Sequence, residues 1–229
     1  MRPLAALSLA ALLVGCARGA PPAEHARAAR SPGPVDTLIA AHADRLEAWR
    51  GAWLKADPTF EWGLLEREGP EPFTLHDITP YNPRNPEERV RRLHYGIFSP
   101  DSTRFIDPDI ARTLDVDELG HPHFTRDSNS APRLVDLGSH SALHLFDGAA
   151  MSGSEDAFWL DRLRFAIVGH SEIDSAGDTR VDLSFYDLGN GMQVVYRTGP
   201  VSREAFARYR GALDSLLIAR LTATPRGPS

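Results

Sequence analysis

The sequence predicts a mainly β protein of the α+β class, in which two four-stranded antiparallel meanders are flanked by an N-terminal and a C-terminal helix. Three observations lead to this prediction. Apolar and polar residues alternate with the period of two that is typical of strands through much of residues 93–198. Turn-forming residues separate these stretches at short intervals. In residues 35–56 and 202–222, apolar residues recur instead at spacings of three and four, as on one face of a helix.

The composition is that of a globular protein, and it excludes several classes. The 229 residues are 42% hydrophobic and 24% charged, which is enough apolar material for a substantial core. A single cysteine cannot form a disulfide within the chain. Because 31 acidic residues outnumber 25 basic ones, the net charge of −6 has the wrong sign for a nucleic-acid-binding surface.

The first sixteen residues carry the most specific signal in the sequence. Arg2 supplies a positive charge, and Leu4–Val14 is an apolar run of eleven residues. This run is too short to span a bilayer core about 30 Å thick, which needs about 20 helical residues, and it fits the apolar region of a secretory signal. The run ends in Leu-Val-Gly-Cys at residues 13–16, which resembles the bacterial lipoprotein box.

This resemblance implies lipid attachment at Cys16. In proteins that carry the box, the cysteine thiol receives a diacylglyceryl group, a signal peptidase cuts before the cysteine, and the new amino terminus is acylated. More than one acyl chain makes membrane attachment stable. Ala17 stands where an aspartate favours retention at the inner membrane, so we expect the periplasmic side of the outer membrane. The alternatives are an ordinary cleaved signal with an incidental Cys16, or a buried helix.

The chain is predicted to have three parts. Residues 1–15 form the signal peptide. Residues 16–33 contain the lipidated cysteine and a flexible tether of mostly Ala, Arg, Pro and Gly, which lacks the apolar bulk for a core. Residues 34–224 form a single folded domain.

The folded domain is predicted to begin with one helix over residues 35–56, which ends before Asp57-Pro58. Trp49 and Trp53 lie one turn apart on it. They could form a ligand platform, but their spacing is typical of core residues. Residues 57–90 are rich in proline and predict an extended, partly polyproline stretch. The Glu and Arg run that begins at residue 87 is interpreted as a solvated polar segment.

Eight strands are expected in two sets of four. The first set comprises residues 93–98, 103–106, 134–137 and 142–146, and the second comprises residues 157–160, 164–168, 181–185 and 192–196. The two sets repeat each other: Phe98–Phe105 matches Phe158–Phe165 at four of eight positions, and Asp-Leu-Gly recurs at 136–138 and 187–189.

The repeated turns resemble those of β-propeller blades of the WD40 or TolB kind. The resemblance rests on Ser-Pro-Asp-Ser at 99–102 and on the Asp-Leu-Gly turns, and it implies that each set is a blade-like meander. Two blades do not close a propeller, which needs four to eight. We therefore expect two packed sheets or a half-propeller covered by helices. Residues 154–160 and 165–172 also resemble a group of uncharacterised bacterial lipoproteins.

A second helix is predicted over residues 202–222. Ser202 is the expected N-cap, with Glu204 in the first turn. The apolar stripe that should pack on a sheet consists of Phe206, Tyr209, Leu213, Leu216 and Leu217.

One candidate nucleophile lies after a strongly apolar strand. Val-Gly-His-Ser at 168–171 resembles the first part of the Gly-x-Ser-x-Gly nucleophile elbow. Ile173 occupies the position of the second glycine, however, and loop-forming residues follow it. We therefore interpret His170 and Ser171 as a polar cluster at the end of a hairpin, with Ser171 as a nucleophile as the alternative.

One candidate metal site lies in residues 115–127. Oxygen and nitrogen ligands for a divalent cation are supplied there by Asp115, Asp117, Glu118, His121, His123 and Asp127. Their spacing matches no calcium loop or zinc motif, and Pro122 prevents a helical pair of histidines. The segment is interpreted as a polar loop between strands, with metal binding as the alternative.

Glu155 and Asp156 form the last acid–base candidate. Because adjacent residues of a strand point to opposite faces, we expect these two side chains not to share a site. The sequence contains no phosphate-binding glycine loop and no dinucleotide motif.

These patterns predict a membrane-anchored bacterial lipoprotein that is a non-catalytic binding or structural module of the cell envelope. Its expected partners are the bilayer, through acylated Cys16, and an envelope protein or a second copy that joins it at an exposed sheet edge. No cofactor, metal or nucleic acid is expected. The alternative is an envelope hydrolase or metal-dependent enzyme that uses residues 115–127 or the His170/Ser171 region.

Overall fold

Helices cover one face of a five-stranded sheet, and a second five-stranded sheet covers its other face. The computed structural model describes residues 33–73, 76–108, 112–125, 132–145, 152–173 and 179–223. The helices are α1 (Thr37–Ala41), α2 (Ala43–Ala56), α3 (Pro86–His94) and α4 (Arg203–Ala223). The strands are β1 (Glu66–Pro72), β2 (His76–Pro80), β3 (Ile97–Phe98), β4 (Arg104–Asp107), β5 (Thr113–Val116), β6 (Pro122–Thr125), β7 (Arg133–Asp136), β8 (Ser141–His144), β9 (Ser152–Trp159), β10 (Arg164–Glu172), β11 (Thr179–Asp187) and β12 (Met192–Arg197).

The strands form two large sheets and one separate hairpin. Sheet A has the order β1-β12-β11-β10-β9, and sheet B has the order β2-β8-β7-β4-β3. Strands β5 and β6 pair only with each other. All pairings among these strands are antiparallel. The predicted mainly β class, with flanking helices, is confirmed.

The prediction of four strands in each set is wrong, because each sheet has a fifth strand. These strands come from the proline-rich segment that was expected to be extended and partly polyproline: β1 pairs with β12, and β2 pairs with β8. Both lie at sheet edges, where a proline removes no hydrogen bond from an inner ladder. Their partners are distant in sequence, as in the pair Glu66 and Arg197, so the local pattern did not show them.

The two sheets use the repeated residues in the same way. Arg104 pairs with Asp136 in sheet B, and Arg164 pairs with Asp187 in sheet A. The Asp136 carboxylate accepts a hydrogen bond from the Gly138 amide at 2.9 Å, and that of Asp187 accepts from the Gly189 amide at 2.8 Å. The sequence repeat therefore corresponds to a structural repeat of strands and Asp-Leu-Gly turns. The first hairpins differ in register, because Phe98 pairs with Phe105, whereas Trp159 and not Phe158 pairs with Phe165.

The single helix predicted over residues 35–56 is two helices. Asp36 caps α1 by accepting a hydrogen bond from the Leu38 amide at 2.8 Å, and Tyr196 of β12 donates to the same carboxylate. His42 leaves the helical conformation, with φ at −125°, and its ring lies 6.0 Å from that of Phe185. The break at His42 thus occurs where the helix meets sheet A.

Helix α3 replaces the solvated segment that was expected from residue 87 onward, and it includes the beginning of the strand predicted at 93–98. The Asn85 side chain accepts from the Glu87 amide at 3.0 Å, and Pro86 occupies the first turn. This is a standard start signal for a helix. It lies within a series of prolines that favoured an extended chain, and only Ile97–Phe98 remains as a strand.

The predicted C-terminal helix is confirmed as α4. The Ser202 hydroxyl accepts from the Ala205 amide at 3.3 Å, as an N-cap does. Tyr209, Leu213 and Leu217 are buried, and Phe206 is half-buried, whereas Leu216 is exposed and does not belong to the packed stripe. In the described ranges, no helix is long and apolar enough to cross a membrane.

Two apolar layers hold sheet A to the helices and to sheet B, and a smaller cluster lies on the other face of sheet B, formed by Tyr81, Phe105, Val135 and Ala142. The first lies between sheet A and helices α1, α2 and α4, where the indole of Trp53 stacks on the ring of Tyr209 at 4.0 Å between centroids. Trp49 and Trp53 belong to this layer, as their spacing predicted. The second layer lies between the two sheets and is built around Trp159 and Phe165.

Candidate functional site

A carboxylate and an imidazole, the groups most often used in acid–base chemistry, lie together beneath α4. Glu155 of β9, His170 of β10, Tyr209 of α4 and Trp49 of α2 form this group, called here the Glu155 cluster. Glu155 is 1% exposed, and His170 and Tyr209 are also buried. The cluster is therefore built from four elements, two strands of sheet A and two helices, that meet around one buried carboxylate.

Glu155 reaches the helix-facing side of sheet A because β9 contains a bulge. Asp156 pairs with Val168 and Ser154 pairs with Gly169, so Glu155 is the extra residue between two consecutive pairs. The expectation that Glu155 and Asp156 point to opposite faces is therefore wrong. Both contact α4, but at Tyr209 and at Arg220, which lie about 16 Å apart along the helix.

The polar atoms of the cluster form a short chain of contacts. The Trp49 indole Nε1 donates to the Tyr209 hydroxyl at 2.9 Å, and that hydroxyl donates a short hydrogen bond to Oε2 of Glu155. Oε1 of Glu155 lies 3.4 Å from Nδ1 of His170, within ion-pair distance, and neither atom has a well-aligned hydrogen bond. One carboxylate oxygen thus accepts from Tyr209, and the other lies beside the imidazole without a well-aligned hydrogen bond among the described residues.

The surroundings of the carboxylate favour its ionised form. Burial on its own raises the pKa of Glu155, but the His170 imidazole, the Tyr209 hydroxyl and the charge of Arg210 together bring that pKa below its ordinary value of 4.5. Burial and the adjacent carboxylate raise the pKa of Tyr209 well above 10. Glu155 is therefore an acceptor and Tyr209 a donor at neutral pH.

The imidazole of His170 is held between β9 and α4. Its ring centroid lies 4.7 Å from that of Phe206. On the other side, a Cβ atom placed on Gly153 would lie only 2.6 Å from Cε1 of His170, so the absence of a side chain at this position makes room for the ring. These contacts fix the orientation of the ring and leave it little freedom to move.

The Glu155 cluster contains groups that can transfer protons. Its carboxylate is covered by protein groups, however, as in a structural site. A general base must come within hydrogen-bond distance of its substrate. Tyr209 and His170 occupy the two sides of the Glu155 carboxylate, and α4 covers them. The geometry therefore supports a role in fixing α4 to sheet A.

The alternative in which Ser171 is a nucleophile is not supported by the structure. β10 continues as a regular strand from Arg164 to Glu172, without the sharp turn of a nucleophile elbow. Ser171 pairs with Arg180 and hydrogen-bonds to Asp182, whereas the His170 ring contacts α4. The two side chains lie on opposite faces of sheet A, so His170 cannot activate Ser171.

Asp182, next to Ser171, is a second buried carboxylate that is only partly paired. Its Oδ1 lies 3.3 Å from Nε of Arg197, without a well-aligned hydrogen bond. Burial raises the pKa of Asp182 above 3.8, and the Ser171 hydroxyl and the charges of Arg197, His170 and Arg180 only partly oppose this effect. The fold therefore disfavours the ionised form of this carboxylate.

We expect Asp182→Asn to raise the free energy of unfolding at pH 7. A pKa that is raised on folding stabilises the protein below the unfolded value of 3.8, and this contribution is lost as the pH rises through the folded value. The amide avoids that loss, and Arg197 keeps its ion pair with Glu68. Urea unfolding measured between pH 3 and pH 7 tests this. A variant that is less stable than the parent at pH 7 would show that the Asp182–Arg197 pair outweighs the burial cost.

The candidate metal segment is a hairpin and not a loop. Residues 113–125 form β5, a tight turn and β6, and this part of the chain is called here the acidic hairpin. The Asp117 carboxylate accepts from the amides of Leu119 and His121 at 2.9 and 2.8 Å, so it closes the turn. Gly120 has φ at +85°, which the turn requires.

The acidic hairpin does not gather its acids and histidines around a point. Asp115 accepts from the hydroxyl of Thr125, and Nδ1 of His121 lies 3.3 Å from Asp117. In the part of the chain that the structure describes, no group of three or more His, Cys, Asp or Glu side chains could hold a metal ion. Asp127 lies outside the described residues, as does Cys16, the predicted site of lipid attachment.

The sequence contained a signal for the Glu155 cluster, but not in the acidic residues themselves. Gly153 and Gly169 lie just outside the predicted strands 157–160 and 164–168 but inside β9 and β10, and an isolated glycine in a strand often marks a bulge or a close approach of two strands. They lie on neighbouring strands, and a Cβ on Gly169 would lie 2.5 Å from the Gly153 carbonyl oxygen. Tyr209 could be assigned to the apolar stripe of α4, but its hydroxyl partner could not be deduced from the helix alone.

Comparisons of the chain with protein-family models, with curated proteins and with solved structures give no match. The function is therefore inferred from the sequence and from this geometry.

Proposed function

We propose that the chain is a bacterial envelope lipoprotein whose acyl chains at Cys16 anchor a non-catalytic binding or structural module. The observation that carries the anchoring is the eleven-residue apolar run Leu4–Val14, which is followed by Gly15 and the only cysteine of the chain. With Ala17 after the cysteine, the proposed location is the periplasmic side of the outer membrane.

The use of the ionisable groups in the body supports a binding or structural role. Asp117 closes a turn, Glu155 joins α4 to sheet A, and Ser171 hydrogen-bonds to a neighbouring strand residue. Each of these groups was a candidate for chemistry, and each is engaged in holding the fold together. A body of this kind offers its strands, turns and helix faces as contact surfaces.

We also propose that the two sheets are blade-like units of the kind found in WD40 and TolB propellers. The Asp-Leu-Gly turns of the two sheets, and the matched Arg–Asp pairs on the strands that lead into them, support this proposal. Each sheet adds an edge strand at the corresponding position, beside β12 or beside β8. Two such units, packed face to face and covered by helices on one side, give a stable body without a closed ring.

Lipid anchoring is tested by metabolic labelling with a clickable fatty acid in a bacterial host. The unaltered chain should incorporate the label, and Cys16→Ser should lose it, because the thioether can form only on a thiol. The double variant Cys16→Ser with Ser31→Cys is the matched control, since it restores a cysteine outside the box and should stay unlabelled. Equal labelling of the unaltered chain and Cys16→Ser would overturn the proposal.

A further inference from the structure

The proposed tether joins the body of the protein beside Trp62. Gly33 is the first residue that the structure describes, and its amide donates to the carbonyl oxygen of Gly63 at 3.0 Å. Gly63 lies in the single helical turn Trp62–Leu64. The two glycines are so close that a Cβ atom on Gly63 would overlap the carbonyl group of Gly33. The chain that comes from Cys16 therefore reaches the body directly next to Trp62.

Trp62 differs from the other tryptophans of the chain. Trp49, Trp53 and Trp159 are buried, with at most 4% of each residue exposed, whereas Trp62 is half-buried. The indole of Trp62 stacks on that of Trp49 at 5.7 Å between ring centroids, and it meets the edge of Phe60 at 5.8 Å. These rings support Trp62 from the side of the core and leave the rest of its surface to solvent.

The surface around Trp62 is apolar without being basic. Val35, near the start of the described chain, is 43% exposed. Arg67 pairs with Asp36 at 3.1 Å, and Glu61, directly before Trp62, is exposed. These charges do not sum to the positive surface that anionic headgroups attract. The tether-exit surface, as it is called here, is formed by Gly33, Val35 and Trp62.

The proposed anchoring determines what lies near this surface. Residues 17–32 separate the acylated Cys16 from Gly33, and a tether of this length has an r.m.s. reach of about 20–25 Å. A body of this size has a diameter of about 40 Å, so its tether-exit side stays closer to the bilayer than its far side. A short tether also gives an effective concentration in the millimolar range, at which a weak contact is populated.

We propose that the tether-exit surface contacts the lipid bilayer, with the Trp62 indole at the boundary between headgroups and acyl chains. Tryptophan has an apolar ring and an N–H donor, and it is enriched at this boundary. The occupant is a lipid surface because the acyl chains at Cys16 hold a bilayer within reach of Gly33. This inference rests on the proposed anchoring, and it adds a preferred orientation of the body at the membrane.

Quenching of tryptophan fluorescence by brominated lipids tests the contact. The acylated chain is purified in detergent and reconstituted in phosphatidylcholine vesicles with or without bromine on the acyl chains. Bromine quenches a tryptophan only at close range, so brominated vesicles should remove the share of the emission that comes from Trp62. In Trp62→Phe the emission should be the same in both kinds of vesicle, because the remaining tryptophans are buried. Equal emission of the unaltered chain in the two kinds of vesicle overturns the proposal.

An exposed tryptophan elsewhere on the body is the matched control. Ile78→Trp in the Trp62→Phe background places an indole on β2, where the replaced residue is 70% exposed. β2 is an edge strand of sheet B, whereas Trp62 packs against the apolar layer on the other face of sheet A. This variant should show no difference between the two kinds of vesicle. A loss as large as that of the unaltered chain would mean that the body touches the membrane without a preferred orientation, which contradicts the proposal.

The effect of salt separates an apolar contact from an electrostatic one. Raising the NaCl concentration from about 0.1 M to about 1 M shortens the Debye length from about 10 Å to about 3 Å. The quenching of Trp62 should remain, because the charges of the tether-exit surface do not attract headgroups. Quenching that disappears at high salt would contradict the apolar contact.

Mass spectrometry of the same sample separates this inference from the anchoring. An acylated chain whose emission is equal in the two kinds of vesicle removes the membrane contact alone. A chain without acyl groups removes the anchoring, and it overturns this inference with it. Thermal unfolding of Trp62→Phe provides the folding control, because phenylalanine keeps an aromatic ring against Trp49 and Phe60.

Discussion

Gly169→Ala should be among the most damaging single substitutions in the described part of the chain. A Cβ atom at this position would lie 2.5 Å from the carbonyl oxygen of Gly153 and 3.2 Å from Cα of Ser154. Both are backbone atoms of β9, so the strand itself must move, and the bulge that places Glu155 under α4 lies at this point. We expect the free energy of unfolding to fall by about 2–3 kcal/mol, as in other overpacked interiors.

Urea unfolding followed by tryptophan fluorescence measures this loss. Gly211→Ala is the matched control, because it makes the same change in the middle of α4, where a Cβ atom meets nothing within 4 Å. That variant should gain about 0.5–1 kcal/mol from the better helix propensity of alanine. Gly153→Ala should fall between them, since its Cβ would meet the His170 ring and not a main chain. If Gly169→Ala were as stable as Gly211→Ala, the close approach of β9 and β10 would be contradicted.

The features that could be predicted from the sequence are those set by nearby residues. An Asp-Leu-Gly turn places a carboxylate two residues before the amide that it binds, so the turns at Asp136 and Asp187 were visible in the pattern. β11 alternates clearly, because Leu183 and Phe185 lie in the layer against the helices and the polar Asp182 and Ser184 lie on the other face of the strand. Ser202 was likewise recognisable as the N-cap of α4.

The features that were not predicted depend on residues distant in the chain. β1 is exposed along its length and contains two prolines, so only its pairing with β12 makes it a strand. The charged side of α3 faces sheet B because Arg91 and Glu88 of the helix form ion pairs there. Their partners are Asp107 and Arg133. The bulge at Glu155 depends on Gly169 in the neighbouring strand. In each case a partner far along the sequence outweighed the local pattern.

Tyr209→Phe should destabilise the protein by about 2 kcal/mol at pH 7. The substitution keeps the stacking on Trp53 but removes the hydrogen bond to the buried Glu155 carboxylate, and it also leaves Nε1 of Trp49 without its acceptor. Tyr81→Phe is the matched control, because the Tyr81 hydroxyl is buried beside Arg92 but makes no well-aligned hydrogen bond within the described residues. Chemical unfolding should show little loss, or a small gain, for Tyr81→Phe. Equal losses in the two variants would mean that the Glu155 contact contributes nothing.

The pH dependence of the free energy of unfolding tests whether the Tyr209 hydroxyl stabilises the fold through its hydrogen bond to Glu155. Because the pKa of Glu155 is lowered on folding, its contribution is present above the unfolded value of 4.5 and is lost as the pH falls through the folded value. Glu155→Gln cannot ionise, so the difference in unfolding free energy between the parent and this variant should shrink as the pH falls below 4.5. In the Glu155→Gln background, Tyr209→Phe should cost less than in the parent, since the two residues interact directly. If Tyr209→Phe lowers the free energy of unfolding equally in the parent and in Glu155→Gln, the Tyr209 hydroxyl stabilises the fold through its hydrogen bond with Trp49 and not through the Glu155 carboxylate.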